Sequence, residues 1–333
     1  MREAQLNGRA IEIPDMISFA FNPMRVKVDT QRVVTIELTD GEKTFTDERE
    51  PIGGNVSIDL ALYARSFFTI DRKEMILPKE VTCTVREGGV GTTFTMLVVW
   101  GAMNVGERFN KPRKVTWFKN FPFTFNLYVP EGATARTRYD KNTYTPVTLQ
   151  EGWNVINPND LFDAAEFGVI RMDDYVHPSV WEYTFDETFR GVDEGTHISR
   201  LVVDECTKGI YLRWIDRHGY YQYYLFKGGD DVYQSKAQGD DVNVDYSSWY
   251  NFGNIQVQQH KQMTNSIRAC ATLVDEETFN MLLGIHSSPM VDMWYDNDWL
   301  PIRVGDATIT KSGKPLQDVE IEIMMPNIVS QRL

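Results

Sequence analysis

The chain has 333 residues, 42% hydrophobic and 12% aromatic, which is enough apolar material for a sizeable core and excludes a disordered chain. Its net charge of −13 argues against a general nucleic-acid binder, because phosphate contacts need clustered Lys and Arg. The charge is uneven: residues 1–107 hold 12 basic and 16 acidic side chains, residues 108–141 hold 8 and 2, and residues 142–333 hold 14 and 29.

The first hundred residues alternate as half-buried strands do. In PMRVKVDT, Val26 and Val28 face one way and Arg25 and Lys27 the other. Val34, Ile36 and Leu38 share a face, and Asp40-Gly41 then predicts a hairpin turn before Thr44 and Phe45. Ser57–Phe68 reads as a short helix, with Leu60, Ala61, Ala64, Phe67 and Phe68 on one stripe. Val81–Arg86 and Thr93–Trp100 form a second strand pair, joined through Gly88, Gly89 and Gly91. The spacing predicts an immunoglobulin-like β-sandwich over residues 1–103.

Residues 104–200 read as a connecting β region whose first part is basic, aromatic and broken by Pro112, Pro122 and Pro130. Proline removes a ladder donor, so irregular chain and edge strands are expected here. Turns and short strands follow, around Asn157-Pro158 and His177-Pro178. Residues 201–333 predict a C-terminal β domain. Ile210–Ile215 and Tyr220–Phe226 form a hairpin turning at Asp216-Arg217-His218-Gly219, and seven of the sixteen residues from Tyr211 to Phe226 are aromatic. They fall on both faces, so the hairpin should be covered on both sides. Asp275 is placed to cap a helix over 276–284, with Glu276 and Glu277 at its positive end and Gly284, Ser287, Ser288 and Pro289 stopping it. DVEIEIMMP alternates Val319, Ile321 and Ile323 inward against Asp318, Glu320 and Glu322 outward. The fold class expected is mainly β: two or more β-sandwich or β-barrel-like domains with one or two short helices.

Motifs of chemistry are scarce. Nucleophile-elbow, zincin, P-loop and dinucleotide-binding signatures are absent, and the glycines from Gly88 to Gly91 open no helix. The five histidines, at 177, 197, 218, 260 and 286, have no metal-ligand spacing, and His218 reads as a turn residue. Asp230-Asp231 and Asp240-Asp241 each follow a glycine and could collect oxygens for a cation, but their spacing is not an EF-hand's, and solvated turns are the plainer reading. Acidic pairs such as Asp173/Asp174 or Asp296/Asp298 could serve a glycosidase, though 47 acids make such pairs common. No cofactor is expected. Cys83, Cys206 and Cys270 are widely spaced, which disfavours a disulfide scaffold. The opening residues lack the apolar run of a secretory signal, and no apolar stretch reaches the ~20 residues of a membrane span.

Three stretches carry a resemblance: WGAMNVGERFNKPRKVTWFKNFPFTFNLY, YLRWIDRHGYYQYYLF, and SSPMVDMWYDNDWLPIRV with KPLQDVEIEIMMPNIVSQRL. They resemble phage and prophage tail-associated structural proteins of Bacteroidetes-type hosts. The C-terminal layout is similar to distal-tail and baseplate hub proteins: a helix with Glu276, Glu277, Phe279 and Leu282, then Ser288, Pro289 and Val291, then Trp299 to Pro301. The resemblance implies a virion structural subunit, assembled in the host cytoplasm into a homo-oligomeric ring or hub at the tail end, with other tail proteins as partners. It brings no catalytic residues.

The expected working surface combines Arg108, Lys111, Arg113 and Lys114, set to meet acidic residues of a neighbouring subunit, with the aromatics Trp214, Tyr220, Tyr221 and Tyr223. Two alternatives use the same features differently. A carbohydrate-binding or host-adhesion module would expose the Trp and Tyr residues in a groove, and a glycoside hydrolase would bring two carboxylates together through the fold.

Overall fold

The structure is a computed structural model and describes residues 2–71, 74–104, 107, 109, 113–129, 134–140, 143–145, 150–157, 181–188, 196–244, 255–325 and 331–332. The fold is mainly β. Residues 1–115, 123–202 and 215–222 make one compact unit, and residues 116–122, 203–214 and 223–333 make a second.

The first unit opens with a β-sandwich. Its strands are β1 (Arg2–Leu6), β2 (Arg9–Ile13), β3 (Ile17–Phe19), β4 (Arg25–Asp29), β5 (Val34–Thr39), β6 (Thr44–Arg49), β7 (Asn55–Asp59), β8 (Lys79–Glu87) and β9 (Val90–Val99). One sheet runs β1-β2-β4-β7 and the other β3-β9-β8-β5-β6, antiparallel throughout except β3 with β9. Alternation builds the core, as the sequence predicts for β4, β5 and β8. Val26, Val28, Val56 and Ile58 from one sheet and Val34, Ile36, Leu38, Val81 and Val85 from the other are buried, each such side chain contributing about 1.5–3 kcal/mol. The turn after β5 sits at Asp40–Lys43 with Gly41 at φ 89°.

The expected helix over Ser57–Phe68 is corrected. Residues 55–59 are strand β7, whose alternation buries Val56 and Ile58 and exposes Ser57, and the helix α1 spans only Ala61–Arg65. The stripe itself survives, since Leu60, Ala61, Ala64, Phe67 and Phe68 are all buried. The same unit holds the pair β11 (Phe125–Val129) and β14 (Gly152–Ile156). A further five-stranded sheet has the order β10 (Lys114–Phe118), β16 (Thr196–Asp204), β15 (Trp181–Thr188), β12 (Thr134–Asp140) and β13 (Thr143–Thr145).

The second unit is a barrel. Strands β17 (Ile210–Ile215), β18 (Tyr221–Val244), β19 (Ile255–Val274), β20 (Val291–Tyr295), β21 (Asp298–Val304) and β22 (Gln317–Met324) pair in the order β18-β17-β20-β21-β22-β19, and β19 returns to β18. Closure removes the exposed edges. Its core joins Leu212, Trp214, Phe226, Ala269, Ala271, Val291 and Met293 to Val319, Ile321 and Ile323 of β22. Helix α2 (Glu276–Leu283) adds Phe279 and Leu282, and Asp275 caps it by accepting from Thr278 N–H at 2.9 Å. The α-helix ends at Gly284, its C-cap, as the sequence predicts. Gly284 keeps a right-handed φ of −58° and begins a 3₁₀ turn to Ser287. A Cβ there would sit 3.4 Å from Trp214 Nε1, an ordinary contact distance. A short strand, β23 (Gln331–Arg332), pairs with β19.

Candidate functional site

The longest elements carry the most exposed surface. β18 and β19 leave the barrel together as a two-stranded ribbon, paired from Lys227↔Cys270 to Val244↔Ile255. At about 3.3 Å per residue the part beyond Gly228 extends roughly 50 Å. From Lys227 to Asp241 every residue whose burial is described is exposed except Val232, which is half-buried. Tyr233 and Met263 are 60% and 43% exposed. They belong to diagonal pairs on one face, since Tyr233 opposes Asn265 and Ser235 opposes Met263. Among the described residues of the ribbon from Lys227 to Asp241 none is buried, and an isolated two-stranded ribbon is marginally stable in water.

The two Gly-Asp-Asp-Val sequences lie in this ribbon and correct the reading of them as solvated turns. Each forms a β-bulge inside β18, where the register slips between Gly228 and Asp231 and again between Gln238 and Asp241. A bulge places one extra residue on one strand, and glycine suits its unusual backbone. Gly239 has φ 85°, and a Cβ on Gly229 would lie 2.6 Å from Arg268 O. Asp230, Asp231, Asp240 and Asp241 are exposed at the bulges, and no group of three or more His, Cys, Asp or Glu side chains converges on a metal position among the described residues.

The surface expected from the sequence is taken apart by the fold. Arg108 and Lys111 lie outside the described residues. Arg113 is half-buried in an aromatic nest, its guanidinium 3.8 Å from the Tyr220 ring centroid and 4.7 Å from that of Phe125, and it donates to Asn126 O. Stacking of this kind uses the charge inside the subunit. Lys114 is half-buried at the start of β10. Tyr220 stacks on Phe109 at 5.4 Å and on Trp153 at 4.9 Å, near-parallel in both cases. The Tyr221 hydroxyl accepts from Ile76 N–H at 2.8 Å. In the second unit Tyr223 stacks on Tyr211 and meets Trp299, and Trp214 fills the barrel core. These four aromatics are 1–4% exposed. They are core, covered on both sides as the hairpin required, and offer the free subunit neither a docking surface nor a platform for stacking sugars.

The remaining candidates are turns or buried singles. His218 sits in the β17–β18 turn with Nε2 3.3 Å from Glu107 Oε1, and Arg217 contacts the same carboxylate. Asp296 and Asp298 flank the β20–β21 turn, where Asp296 and Asn297 take left-handed φ values of 49° and 60°. Asp173, Asp174 and His177 lie outside the described residues. His286 is half-buried, and burial lowers its pKa. The three cysteines are free, and burial pushes the Cys83 thiol to about 12, which leaves it an inert core residue.

Two polar clusters escape sequence reading because their partners are distant in the chain. Glu87, 2% exposed, accepts from Asn7 at 2.6 Å, from Arg9 at 2.5 Å and from Thr30, clasping the β1–β2 turn to the end of β8. The hydrogen bond from Arg9, then those from Thr30 and Asn7, hold its carboxyl down to about 2. On the barrel, Arg213 Nε meets Asp292 Oδ2 at 2.9 Å with both side chains at most 5% exposed, and the guanidinium lies 4.3 Å from the Trp299 ring centroid. A cleft at Ile36, Leu38, Phe45, Ile58 and Leu60, with Asp47 and Tyr63 at its mouth, is too narrow for a water molecule.

No family model matches the chain, and no curated protein matches it. Among solved structures it is similar to an I-band fragment of titin at 9% identity and a TM-score of 0.16, over 80% of this chain and 94% of that one. A likeness at that score carries no argument about fold or role.

Proposed function

We propose that the chain is a structural subunit of a phage-type tail assembly, working through protein–protein contacts and assembling with copies of itself. The observation that carries this reading is the β18–β19 ribbon. It holds some three dozen residues in paired strands, with solvent on most of its described surface. Regular structure that buries so little of itself gains most of its stabilisation when a partner covers it. The tail-end ring or hub suggested by the family resemblance is the assembly such a subunit would enter, in a virion put together in the host cytoplasm. The basic-patch version of the contact loses support, because Arg113 is engaged within its own subunit. The glycan-binding alternative loses its platform with the burial of Tyr220, Tyr221 and Tyr223.

The test is a shortened ribbon. Replacing residues 234–264 by Asn-Gly joins Tyr233 to Asn265, which already oppose each other, through a two-residue hairpin turn. The barrel core lies entirely outside the deleted segment, so the variant should fold. It is expected to be monomeric by light scattering where the full chain is a discrete oligomer. A shortened chain with the oligomer's full set of subunits would overturn the reading.

A further inference from the structure

The ribbon has two edges, and one is occupied by the chain itself. β22 pairs with β19 from Ser266 to Val274, Met325 N–H donates to Asn265 O at 2.9 Å, and β23 pairs with β19 at His260 and Lys261. The other edge belongs to β18. There the neighbouring strand is β17, only six residues long and joined to the start of β18 by the hairpin turn. Further along, no described strand lies against it, and the residues of β18 from Lys227 to Asp241 whose burial is described are exposed apart from half-buried Val232. Such a row is a template for another strand.

The two bulges give this open edge a symmetry of its own. They stand ten residues apart, each built on Gly-Asp-Asp-Val, and they frame Val232–Gln238, a regular stretch with one charge, Lys236. A bulge interrupts a ladder locally, and β18 resumes pairing with β19 beyond each, so the two bound this stretch as local stops. With the same stop at both ends, the edge presents equal limits in either direction from its centre near Gln234 and Ser235. A patch that meets its own copy across a two-fold axis must be self-complementary in this way. Antiparallel pairing about Ser235 places Lys236 opposite Gln234 rather than opposite itself, and Tyr233 opposite Ala237.

We infer that two copies of the chain join ribbon to ribbon, by antiparallel pairing of their β18 edges over Val232–Gln238 about a two-fold axis near Ser235. The inference rests on the self-assembly reading above and names the surface and symmetry of one contact. It carries a distinctive sign in salt. The pairing brings Asp230 and Asp231 of one copy towards Asp240 and Asp241 of the second, so like charges oppose it. Screening at ordinary ionic strength, where the Debye length is about 8 Å, strengthens the contact. A basic patch docking on an acidic one would weaken under the same change.

The experiment is site-directed cross-linking of the full chain in a Cys206→Ser, Cys270→Ser background, with Cys83 left buried. Ser235→Cys, oxidised with copper-phenanthroline, is expected to give a disulfide-linked dimer, at least ten-fold faster than Lys314→Cys at an exposed loop position. Replacing the four ribbon aspartates by Asn should raise the yield at low salt towards that at high salt. Equal rates for Ser235→Cys and Lys314→Cys, or no dimer from either, overturn the edge pairing. If cross-linking fails while the shortened ribbon still abolishes the oligomer, the ribbon remains the assembly element and only the edge pairing falls. If the shortened chain keeps its oligomeric mass, both fall.

Discussion

At the residue scale, buried charge is the feature that most sharply separates this chain from a generic β protein. Glu87 accepts three hydrogen bonds from residues about 60 to 80 positions away, and no local pattern announces them. Its carboxyl is held to about 2 against an ordinary 4.5. The stabilisation is therefore full above the unfolded value and is lost as pH falls from 4.5 towards 2. Glu87→Gln should cost about 1–3 kcal/mol at neutral pH and flatten the acid limb of the melting curve. An acid limb unchanged by the substitution would show that another group sets it. Arg213 and Asp292 follow a different logic, since removing one partner strands the other charge in the interior. Arg213→Met alone should cost about 3–5 kcal/mol in denaturant unfolding, and Arg213→Met with Asp292→Leu should regain much of it. Of the residues singled out from the sequence, Trp214, Tyr220, Tyr221 and Tyr223 were expected at an interface, and density on both faces of the hairpin showed only that something covers them, not that it is their own subunit. The role of Arg113 was not legible: a basic run reads as a surface until the fold lays Tyr220 beneath it. Gly101 and Gly219 became intelligible in the same way. A Cβ on Gly101 would meet Arg217 O at 2.2 Å, and one on Gly219 would meet Val99 at 2.3 Å, which ties the end of β9 to the hairpin turn.

At the scale of elements, strict alternation was a dependable guide. β4, β5 and β22 bury every second residue as their sequences require, and Asp275 caps its helix. Reading failed where two periodicities fit one segment. Ser57–Phe68 carries a helical stripe, yet the sheet takes Asn55–Asp59 because pairing with β4 buries Val56 and Ile58. It failed again at the Gly-Asp-Asp repeats, since a glycine followed by two aspartates signals a turn unless a partner strand continues past it, as β19 does for 20 residues. Bulge chemistry gives a local prediction. Gly239→Ala places a side chain at φ 85° and should cost about 1 kcal/mol, felt in the ribbon and not in the barrel. Amide exchange should quicken between Tyr233 and Asp241 with an unchanged global melting temperature. A lowered global melting temperature would mean that the ribbon is part of the cooperative core.

At the scale of the whole molecule, the sandwich and the barrel each close their own hydrophobic core, and the described residues of the ribbon from Lys227 to Asp241 are buried in neither. Sequence composition indicated an excess of aromatics and implied that a partner would have to cover them. The fold covers the hairpin aromatics itself and leaves a different surface in need of a partner, a ribbon whose described exposed side chains are mostly polar, with Tyr233 and Met263 among them. Assembly is thus moved from charge blocks to backbone edges. The measurement that tests this most directly is the native mass of the full chain and of the 234–264 replacement, by light scattering at low and moderate salt. The account predicts a discrete oligomer for the full chain, strengthened by salt, and a monomer for the shortened chain under both conditions. An oligomer that survives loss of the ribbon, or a full chain that stays a 38.4 kDa monomer at every concentration and salt, would contradict it.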